Sequence, residues 1–395
     1  MKTVLFYSSE FLPFKGGVAR CAADMAAMMA DGAFARVAVL TETADRGGHP
    51  ELTLPYAVHR LPSKRFGRPW LNLGVNAVSS LAVVLCARLR RFEWLIVTGK
   101  RSVYNAAFFR SFLRHMKVVV VLHGSEWADI AEAKGFKATL LRRAFLRLCE
   151  SGHVVVIHNR FTARRFHTLP GYPTSKTRVL PPVVDLDRVR VDERLVDSYR
   201  RRYFGEPAFS LVTVARLTPR KGQDHVLRAL GRMKREGNES FRYFIIGRGW
   251  YKPRLKHLVA AEGLEDRVVM LDDLDDGAAF SLVSLCDLFV MPNREYEGTV
   301  EGFGIAFLEA NVLGVPVLAG NSGGSPEAVQ DGVNGLICDG NDPEDIHRKI
   351  RLYLDDVALR ARLRSGCRDH VVKCFSLGRW QPEYQALLGE PVTSA

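Results

Sequence analysis

The stretch Met291–Gly320, MPNREYEGTVEGFGIAFLEANVLGVPVLAG, decides the fold of the C-terminal half of the chain. An apolar segment leads into a polar loop that contains glycines, a helical stretch follows, and a second apolar segment, Val315–Ala319, ends it. This order predicts strand, loop, helix and strand, which is the repeating unit of a parallel sheet. Two acids eight residues apart, Glu301 and Glu309, flank the Gly-Phe-Gly turn where the predicted helix begins.

Short apolar strands alternate with helical stretches along the whole chain, as they do in βαβ units. In the first half, strands are predicted at Thr3–Tyr7, Ala35–Leu40, Trp94–Thr98, Lys117–Leu122, His153–Ile157 and Thr177–Leu180. In the second half, they are predicted at Ser210–Ala215, Phe241–Ile246, Arg267–Leu271, Leu285–Met291, Val315–Ala319 and Gly335–Ile337. We therefore predict an α/β fold of two Rossmann-like doubly wound domains that face each other across a cleft, with ligands at the carboxyl ends of the strands.

The length of 395 residues exceeds the size at which one hydrophobic core usually keeps growing, so two domains are expected. The first is predicted to cover residues 1–200 and the second residues 207–375. We interpret the charged segment Asp185–Gly205 as the linker between them, because its apolar density is low. A last helix, within residues 376–395, is predicted to cross back and pack on the first domain.

Composition and cysteine usage indicate a globular protein of a reducing compartment. The chain has 47% hydrophobic and 25% charged residues, which is typical of globular domains. The seven cysteines are scattered and form no CxxC pair, so neither a disulfide framework nor a zinc site is predicted. The first residues resemble a buried strand rather than a signal peptide, and the longest apolar stretch, Ala77–Ala87, is too short to span a bilayer. A cytoplasmic location is expected, and association with the cytoplasmic face of a membrane stays open.

Positive charge is concentrated in the first half of the chain. Residues 1–200 carry a net charge of +15, whereas the remainder carries −2. This asymmetry suggests an anionic partner, for which a phospholipid surface, an acidic acceptor and nucleic acid are the alternatives. The segments Lys64–Leu71 and Arg142–Arg147 mix basic, aromatic and aliphatic residues, as expected both at the edge of an anionic membrane and on an ordinary amphipathic surface. Because no recognition module for nucleic acid is recognisable, nucleic acid is not an expected partner.

The loop and helix around Glu301 and Glu309 have the features of a site for a phosphorylated ligand. Gly302 and Gly304 leave backbone amides accessible at the start of the predicted helix, where the helix dipole favours a phosphate. Glu301 precedes the helix, and Glu309 lies on its second turn, where a carboxylate can accept both hydroxyls of a ribose. Either acid alone would be an ordinary solvated side chain, and only their combination after a buried strand points to a site.

Two cations follow another predicted strand. Arg216 and Lys221, in Ala-Arg-Leu-Thr-Pro-Arg-Lys-Gly, suit the two phosphates of a nucleotide diphosphate. They would also stabilise the negative charge that builds on the diphosphate when a bond to it breaks. Arg220, between them in the sequence, is expected to face solvent.

Further candidate residues occur at the ends of other predicted strands. Gly16 and Gly17 follow the first strand and precede a helix, so their backbone can approach a ligand. His123 ends another strand and can donate to a hydroxyl or carry charge in a transition state, although a lone His is often structural. Gly247 and Gly249 form a G-x-G turn after a strand of the second half.

The segment from Glu301 to Glu309, EGFGIAFLE, resembles the EX7E motif of the GT-B retaining glycosyltransferases, in particular family 4. That family includes phosphatidylinositol mannosyltransferases and enzymes that form sucrose and trehalose. Asn321–Glu327 and Asp331–Leu336 resemble the glycine loop and the turn that follow the motif in the family. The similarity extends over nearly the whole chain and is strongest from Val212 to Pro343.

The resemblance implies roles for the residues that match the family's motifs. It implies that Glu301 holds the transferred sugar and that Glu309 holds the ribose. Arg216 and Lys221 would bind the diphosphate, and His123 would lie over the donor sugar. The remaining donor-binding residues that the resemblance implies are Gly16, Gly17, Gly247, Gly249, Gly302, Phe303, Gly304 and Ile305.

Two positions depart from the family's pattern. His158-Asn159 stands where a Ser is usual, which puts contacts to the acceptor in doubt. Val183 stands where the interdomain turn usually has a Gly, which affects hinge geometry. Asp185-Leu-Asp187 imitates a metal-binding DxD motif, but it lies in the predicted linker and is interpreted as structural.

The resemblance implies a retaining hexosyltransferase that moves a hexose from GDP-mannose or a UDP-sugar to a lipid-linked, polysaccharide or small-molecule acceptor. No residue is clearly placed as a covalent nucleophile, so front-face substitution is favoured. Neither a cofactor nor a metal is expected beyond the nucleotide-sugar co-substrate. A nucleotide-sugar epimerase of the same fold is one alternative, and a basic nucleic-acid-binding protein is a less favoured one.

Overall fold

The computed structural model describes residues 1–14, 16–42, 54–61, 83, 91–205, 208–272 and 274–389. The chain divides into two compact units, one formed by Met1–Val183 together with Trp380–Ala395 and the other by Val184–Arg379. This boundary differs from the predicted one at residues 200–207, because the segment interpreted as a linker belongs to the second unit. The basic segment Lys64–Leu71 lies outside the described residues.

The first unit is built on one parallel sheet. Its strands are β1 (Lys2–Ser8), β2 (Ala35–Glu42), β3 (Ala57–Leu61), β4 (Trp94–Thr98), β5 (Lys117–Leu122), β6 (Val154–Ile157) and β7 (Thr177–Val179). They lie in the order β3-β2-β1-β4-β5-β6-β7, and all neighbours are parallel. The α-helices described in this unit before its C-terminal segment are α1 (Gly17–Ala30), α2 (Lys100–Phe109), α3 (Phe136–Ser151) and α4 (Arg160–His167).

The second unit repeats this architecture. Its helices begin with α5 (Glu193–Tyr203), α6 (Gln223–Arg235), α7 (Lys252–Ala261), α8 (Asp276–Val283), α9 (Ile305–Val312), α10 (Ser325–Ala328), α11 (Pro343–Asp355) and α12 (Val357–Phe375), and α13 (Leu377–Ala386) ends the series. Its strands are β8 (Phe209–Val214), β9 (Phe241–Ile246), β10 (Val268–Leu271), β11 (Leu288–Met291), β12 (Val317–Gly320) and β13 (Gly335–Cys338). They lie in the order β10-β9-β8-β11-β12-β13, again with parallel neighbours.

The central strands are short apolar runs that are buried on both faces, which is typical of parallel sheets covered by helices. All four residues of β11 and of β12 are buried, for example. In each sheet the strand order reverses between two neighbours, β1 and β4 in the first and β8 and β11 in the second. Doubly wound sheets bind ligands outside the carboxyl ends of the strands at such a switch point. The predicted α/β fold class is confirmed.

Two polar elements were not predicted. The observed strands agree with the predicted ones to within three residues at either end, except that β3 was not predicted. This edge strand, AVHRL, has only exposed or half-buried residues and therefore no apolar run. The segment interpreted as a linker contains α5, an arginine-rich surface helix in which only Val196 is buried.

The last helix ends in the first unit, as predicted. From Trp380 onward the chain belongs to that unit. The fully buried Tyr384 donates a hydrogen bond to the carbonyl oxygen of Pro181 at 2.9 Å, and Gln385 donates to that of Met28 at 2.9 Å. Within the described residues, no helix combines the length and the apolar character that a membrane crossing would need.

Replacing Gly320 with alanine is expected to destabilise the second unit. A Cβ at Gly320 would lie 1.8 Å from the carbonyl oxygen of Asn293, so the backbone of one loop would have to move. We expect Gly320→Ala to lower the free energy of unfolding by about 2 kcal/mol or more, measured by urea denaturation. Gly378→Ala is the control, because nothing lies within 4 Å of a Cβ there and alanine favours the helix. Equal stability of the two variants would contradict this explanation.

Candidate functional site

Two loops at the switch point of the second sheet bring together the charged residues that the sequence indicated. The loop after β8 carries Arg216, Arg220 and Lys221, and the loop after β11 carries Glu301. Because β8 and β11 are parallel neighbours, their carboxyl ends lie side by side at one edge of the sheet. The topology therefore places these loops next to each other.

Glu301 forms ion pairs with two cations of the neighbouring loop. Its Oε2 accepts hydrogen bonds from Lys221 Nζ and from Arg220 Nη1, each at 2.6 Å. The three side chains are only 12–15% exposed. Burial by itself would raise the pKa of Glu301, but the charges and hydrogen bonds of Lys221 and Arg220 hold it at about 2. Glu301 is therefore ionised at neutral pH.

The expectation that Arg220 faces solvent is wrong. A short 3-10 helix, Pro219–Lys221, turns this side chain inward, where it also donates to the carbonyl oxygen of Val300 at 3.2 Å. Arg216 is the exposed cation of the loop, and no described residue forms an ion pair with its guanidinium. Together with Lys221 and Glu301, the two arginines make three positive charges and one negative charge. An excess of positive charge is therefore left at this edge of the sheet.

The turn before α9 has the local structure that its glycines require. Gly304 caps the helix with φ of 93°, and a Cβ at this position would lie 2.3 Å from an aromatic ring atom. Gly302 lies in the same turn, and Ile305 is the first residue of α9. The ring of Phe303 is buried against that of Phe375, with centroids 5.5 Å apart. A donor contact by Phe303 is therefore limited to its backbone.

Glu309 lies on the second turn of α9, as predicted, and has a partner that the sequence analysis missed. Arg188 Nη2 donates to Glu309 Oε1 at 2.7 Å, and the two side chains are 14% and 20% exposed. Arg188 also approaches Asp276 at 3.7 Å and lies over the ring of Phe280. No local pattern predicts this partner, because Arg188 belongs to the charged segment that was interpreted as a linker.

Gly247 and Gly249 are required by the close approach of two loops within the second unit. A Cβ on Gly247 would lie 2.0 Å from the carbonyl oxygen of Ala215, and one on Gly249 would lie 2.1 Å from that of Leu217. The G-x-G turn is therefore packed against the loop that carries Arg216. Contact between these glycines and a nucleotide stays a prediction.

In the first unit, His123 directly follows β5 and is held by a hydrogen bond. Its Nε2 lies 2.8 Å from Oγ1 of Thr98, which ends β4. Desolvation by the surrounding protein, with a smaller effect of His158, lowers the pKa of His123 well below its usual value. A neutral imidazole at physiological pH favours hydrogen bonding to a hydroxyl over the alternative of carrying charge in a transition state.

A buried acid shapes the turn after His123 and was also missed. Glu126 Oε2 accepts a hydrogen bond from the backbone N–H of Gly124 at 2.9 Å, and Gly124 has φ of 93°. Glu126 is fully buried, and burial raises its pKa to about 7 although backbone N–H groups oppose the shift. From the sequence alone it resembles an ordinary loop acid.

Gly16 and Gly17 lie at the switch point of the first sheet. Gly16 precedes α1 with φ of 150°, and Gly17 is the first residue of that helix. Both are exposed, so their backbone is accessible at the carboxyl end of β1. Their predicted contact with the donor stays a prediction.

His158 and Asn159, where the chain departs from the family's pattern, have partners of their own. His158 Nδ1 lies 2.9 Å from the carbonyl oxygen of Leu180, and its Nε2 lies 3.2 Å from Cys21 Sγ. Asn159 caps α4, because its Oδ1 accepts from the N–H of Thr162 at 2.6 Å. No local pattern predicts the thiol–imidazole contact, since its two residues lie 137 positions apart.

Both parts of the chain match known families of glycosyltransferases. Residues 15–188 match the family described as Glycosyltransferase Family 4, and residues 201–370 match the one described as Glycosyl transferases group 1. A GDP-mannose-dependent monoacylated α-(1-6)-phosphatidylinositol monomannoside mannosyltransferase of Corynebacterium glutamicum is 30% identical over 70% of this chain and 69% of its own length. The chain belongs to the family 4 glycosyltransferases.

Another relative is the GDP-mannose-dependent α-(1-6)-phosphatidylinositol monomannoside mannosyltransferase of Mycolicibacterium smegmatis, which is 33% identical over 67% of this chain. The match spans less than two thirds of that relative and of its Mycobacterium tuberculosis counterpart, 66% and 61%. Among solved structures, Anabaena HepE in complex with UDP-glucose superposes with a TM-score of 0.79 at 20% identity, covering 98% of this chain and 99% of that one. This likeness confirms the GT-B class of fold.

Glu301→Gln is expected to destabilise the protein at neutral pH and much less in acid. The variant leaves Lys221 and Arg220 adjacent and largely buried without a carboxylate, at a cost of about 2–4 kcal/mol at pH 7. The pKa of Glu301 is held near 2 in the folded chain, against roughly 4.3 in an unfolded one. The stabilisation is therefore present above about pH 4.3 and is lost as the pH falls toward 2.

Urea denaturation of the wild type and the variant at a series of pH values measures this difference. Glu239→Gln is the control, because the side chain of Glu239 is exposed and its ion pair with Arg267 is long, at 3.4 Å. We expect the control to follow the wild type at every pH. If the difference in free energy of unfolding between the wild type and Glu301→Gln does not become smaller in acid, the ion cluster does not stabilise the fold.

Proposed function

We propose that the protein is a retaining hexosyltransferase that takes a hexose from a nucleotide-diphosphate sugar and requires no metal or other cofactor. The observation that carries the proposal is the cluster of Glu301, Lys221 and Arg220 at the switch point of the second sheet. It occurs in a chain that belongs to a glycosyltransferase family, directly before a helix whose N-terminus follows two glycines.

The diphosphate of the donor would bind at the cationic loop after β8. Arg216 is exposed and belongs to the same loop as Lys221, so we assign these two cations to the two phosphates. Aimed cations stabilise the charge that develops on a leaving diphosphate, by roughly 3 kcal/mol for each group. The N-terminus of α9 would add donors to these phosphates, and Gly16 and Gly17 keep the donor contact that the resemblance implies.

Glu309 would bind the hydroxyls of the ribose while it keeps its contact with Arg188. Its Oε1 accepts from Arg188. A carboxylate has several acceptor positions, so Glu309 can keep Arg188 on one oxygen and accept ribose hydroxyls on the other. Arg188 would thereby fix the orientation of Glu309. The G-x-G turn at Gly247 and Gly249 would border the same nucleotide.

The transferred sugar would contact Glu301, and His123 keeps the role toward the donor sugar that the resemblance implies. Glu301 is held by Lys221 and Arg220, so its orientation is set before the sugar arrives. The neutral imidazole of His123 would donate to a sugar hydroxyl. In front-face substitution the acceptor oxygen forms its bond to the anomeric carbon as the bond to the diphosphate breaks. The proton of the acceptor passes to the leaving phosphate oxygen.

GDP-mannose is the donor and a phosphate-bearing glycolipid the acceptor that we favour, with a UDP-sugar as the second donor. The relatives named above are GDP-mannose-dependent and act on phosphatidylinositol mannosides. The net charge of +15 in residues 1–200 suits an anionic acceptor, and also a peripheral position on an anionic membrane.

Incubation of the purified chain with GDP-mannose and phosphatidylinositol mannoside, followed by NMR of the anomeric proton, tests the proposal. We expect an α-mannosyl product, which retains the donor's configuration. A β-linked product would contradict the retaining mechanism. Consumption of the donor without an acceptor, with formation of an epimeric nucleotide sugar, would favour an epimerase instead.

Lys221→Ala and Glu309→Ala are expected to lower turnover of the donor by about 100-fold and about tenfold, because each removes a contact to the diphosphate or ribose. Arg232→Ala is the control, since its ion pair with Glu236 on the surface of α6 is exposed. Circular dichroism checks that each variant is folded. Wild-type rates in folded Lys221→Ala and Glu309→Ala would show that the site is assigned wrongly.

A further inference from the structure

Three metal-ligating side chains meet at the carboxyl edge of the first sheet. Cys21 lies on α1, and His123 and His158 directly follow β5 and β6. Leu122 and Ile157 are register partners in these parallel strands, so the two histidines emerge side by side. One ligand atom from each of the three residues lies within 4.8 Å of the other two. Cys21 and His158 are buried, and His123 is partly exposed.

We propose that Cys21, His123 and His158 form a binding site for a thiophilic divalent cation such as Zn²⁺, with a fourth position open to water or another ligand. One thiolate and two imidazoles are a ligand set that suits zinc, and three protein ligands with one open position are common in zinc sites that exchange ligands. Nothing in the sequence spacing indicates the site, because its residues come from three distant segments.

Two of the three ligands are already arranged as a metal requires. The Nδ1–H of His158 is donated to the carbonyl oxygen of Leu180, so the lone pair of His158 lies on Nε2, the atom that faces Cys21 Sγ at 3.2 Å. A backbone carbonyl that holds the second nitrogen is the usual support of a zinc-bound imidazole. Zinc bonds of about 2.0–2.3 Å imply ligand atoms roughly 3.5 Å apart, so Cys21 and His158 already have the required spacing.

Binding would need a small movement of His123 and the loss of one proton. The ligand atoms of the three side chains lie within 4.8 Å of one another, against roughly 3.5 Å around a zinc ion, so His123 would shift inward by roughly 1 Å. Because His123 is partly exposed, the cation can enter the site from the side on which His123 lies. The thiol proton of Cys21 leaves to solvent as the sulfur–metal bond forms, and no electron is transferred.

Occupancy would withdraw His123 from the donor sugar, and this consequence rests on the proposed function. The cation would therefore inhibit hexosyl transfer, in accord with an enzyme that needs no metal. Binding of the cation itself does not depend on the transferase activity and can be measured without any donor.

Titration of the full-length, chelator-treated protein with Co²⁺ tests the site, because a cysteine thiolate bound to Co²⁺ gives a charge-transfer absorption in the near ultraviolet. We expect one equivalent to produce this band in the wild type. Cys21→Ser should abolish the band and raise the Kd at least about tenfold, and Zn²⁺ should displace Co²⁺. Cys149→Ser is the matched control, because Cys149 is another buried thiol on a helix of the same unit. This substitution should leave the band unchanged.

The absence of a thiolate band in the wild type would overturn the proposal, whatever the variants do. A band that persists in Cys21→Ser, or that disappears equally in Cys149→Ser, would also overturn it. For the inhibitory consequence, turnover of the donor with and without saturating Zn²⁺ is compared in the wild type and in Cys21→Ser. A wild type with the Co²⁺ band and no inhibition by Zn²⁺ would refute the consequence while the site itself stands.

Discussion

The ion cluster of Glu301, Lys221 and Arg220 connects two loops that leave the second sheet from neighbouring strands. Its members depend on one another. Without Glu301, two largely buried cations would lie side by side, and without the cations a buried carboxylate would be left alone, and either arrangement is costly. The cluster therefore fixes the geometry of the switch point, where a doubly wound sheet binds its ligand. With the exposed Arg216 it also leaves the excess positive charge that a diphosphate would neutralise.

Close backbone contacts make this arrangement possible. Gly247 and Gly249 let the G-x-G turn approach the loop after β8, and Gly320 lets the end of β12 approach Asn293 in the loop after β11. Side chains at these positions would push the loops apart. The glycines that the sequence analysis assigned to the donor thus have a structural reason of their own, and a contact with the nucleotide would be an additional role.

Much of this could be predicted from the sequence, because strands buried on both faces give apolar runs that need no tertiary information. The turn and helix of Glu301–Glu309 also followed from local signals, the glycines and the helical period. The errors concern polar residues whose place depends on distant partners. Arg220 turns inward because of a 3-10 helix and the carboxylate of Glu301. Arg188 pairs with Glu309 across 121 positions, and β3 lacks an apolar run.

The first unit shows the same limit. The position of His123 at the end of β5 could be predicted, whereas its contacts with Thr98 and its proximity to Cys21 and His158 depend on strand register and on α1. The chemistry of such a cluster is set by side chains that no local pattern connects. Family membership explains the residues that match a motif, and only the geometry explains those that depart from it.

We infer that the cationic loop after β8 and the turn before α9 bind a nucleotide-diphosphate sugar. Thermal unfolding of the wild type and of Lys221→Ala, each with GDP-mannose, UDP-glucose, ADP-glucose or dTDP-glucose, measures this binding. We expect at least one donor to raise the Tm of the wild type, by the equivalent of about 2.7 kcal/mol at 100 times its Kd, and Lys221→Ala to lose most of this gain. A wild-type Tm that none of the four donors changes would contradict it.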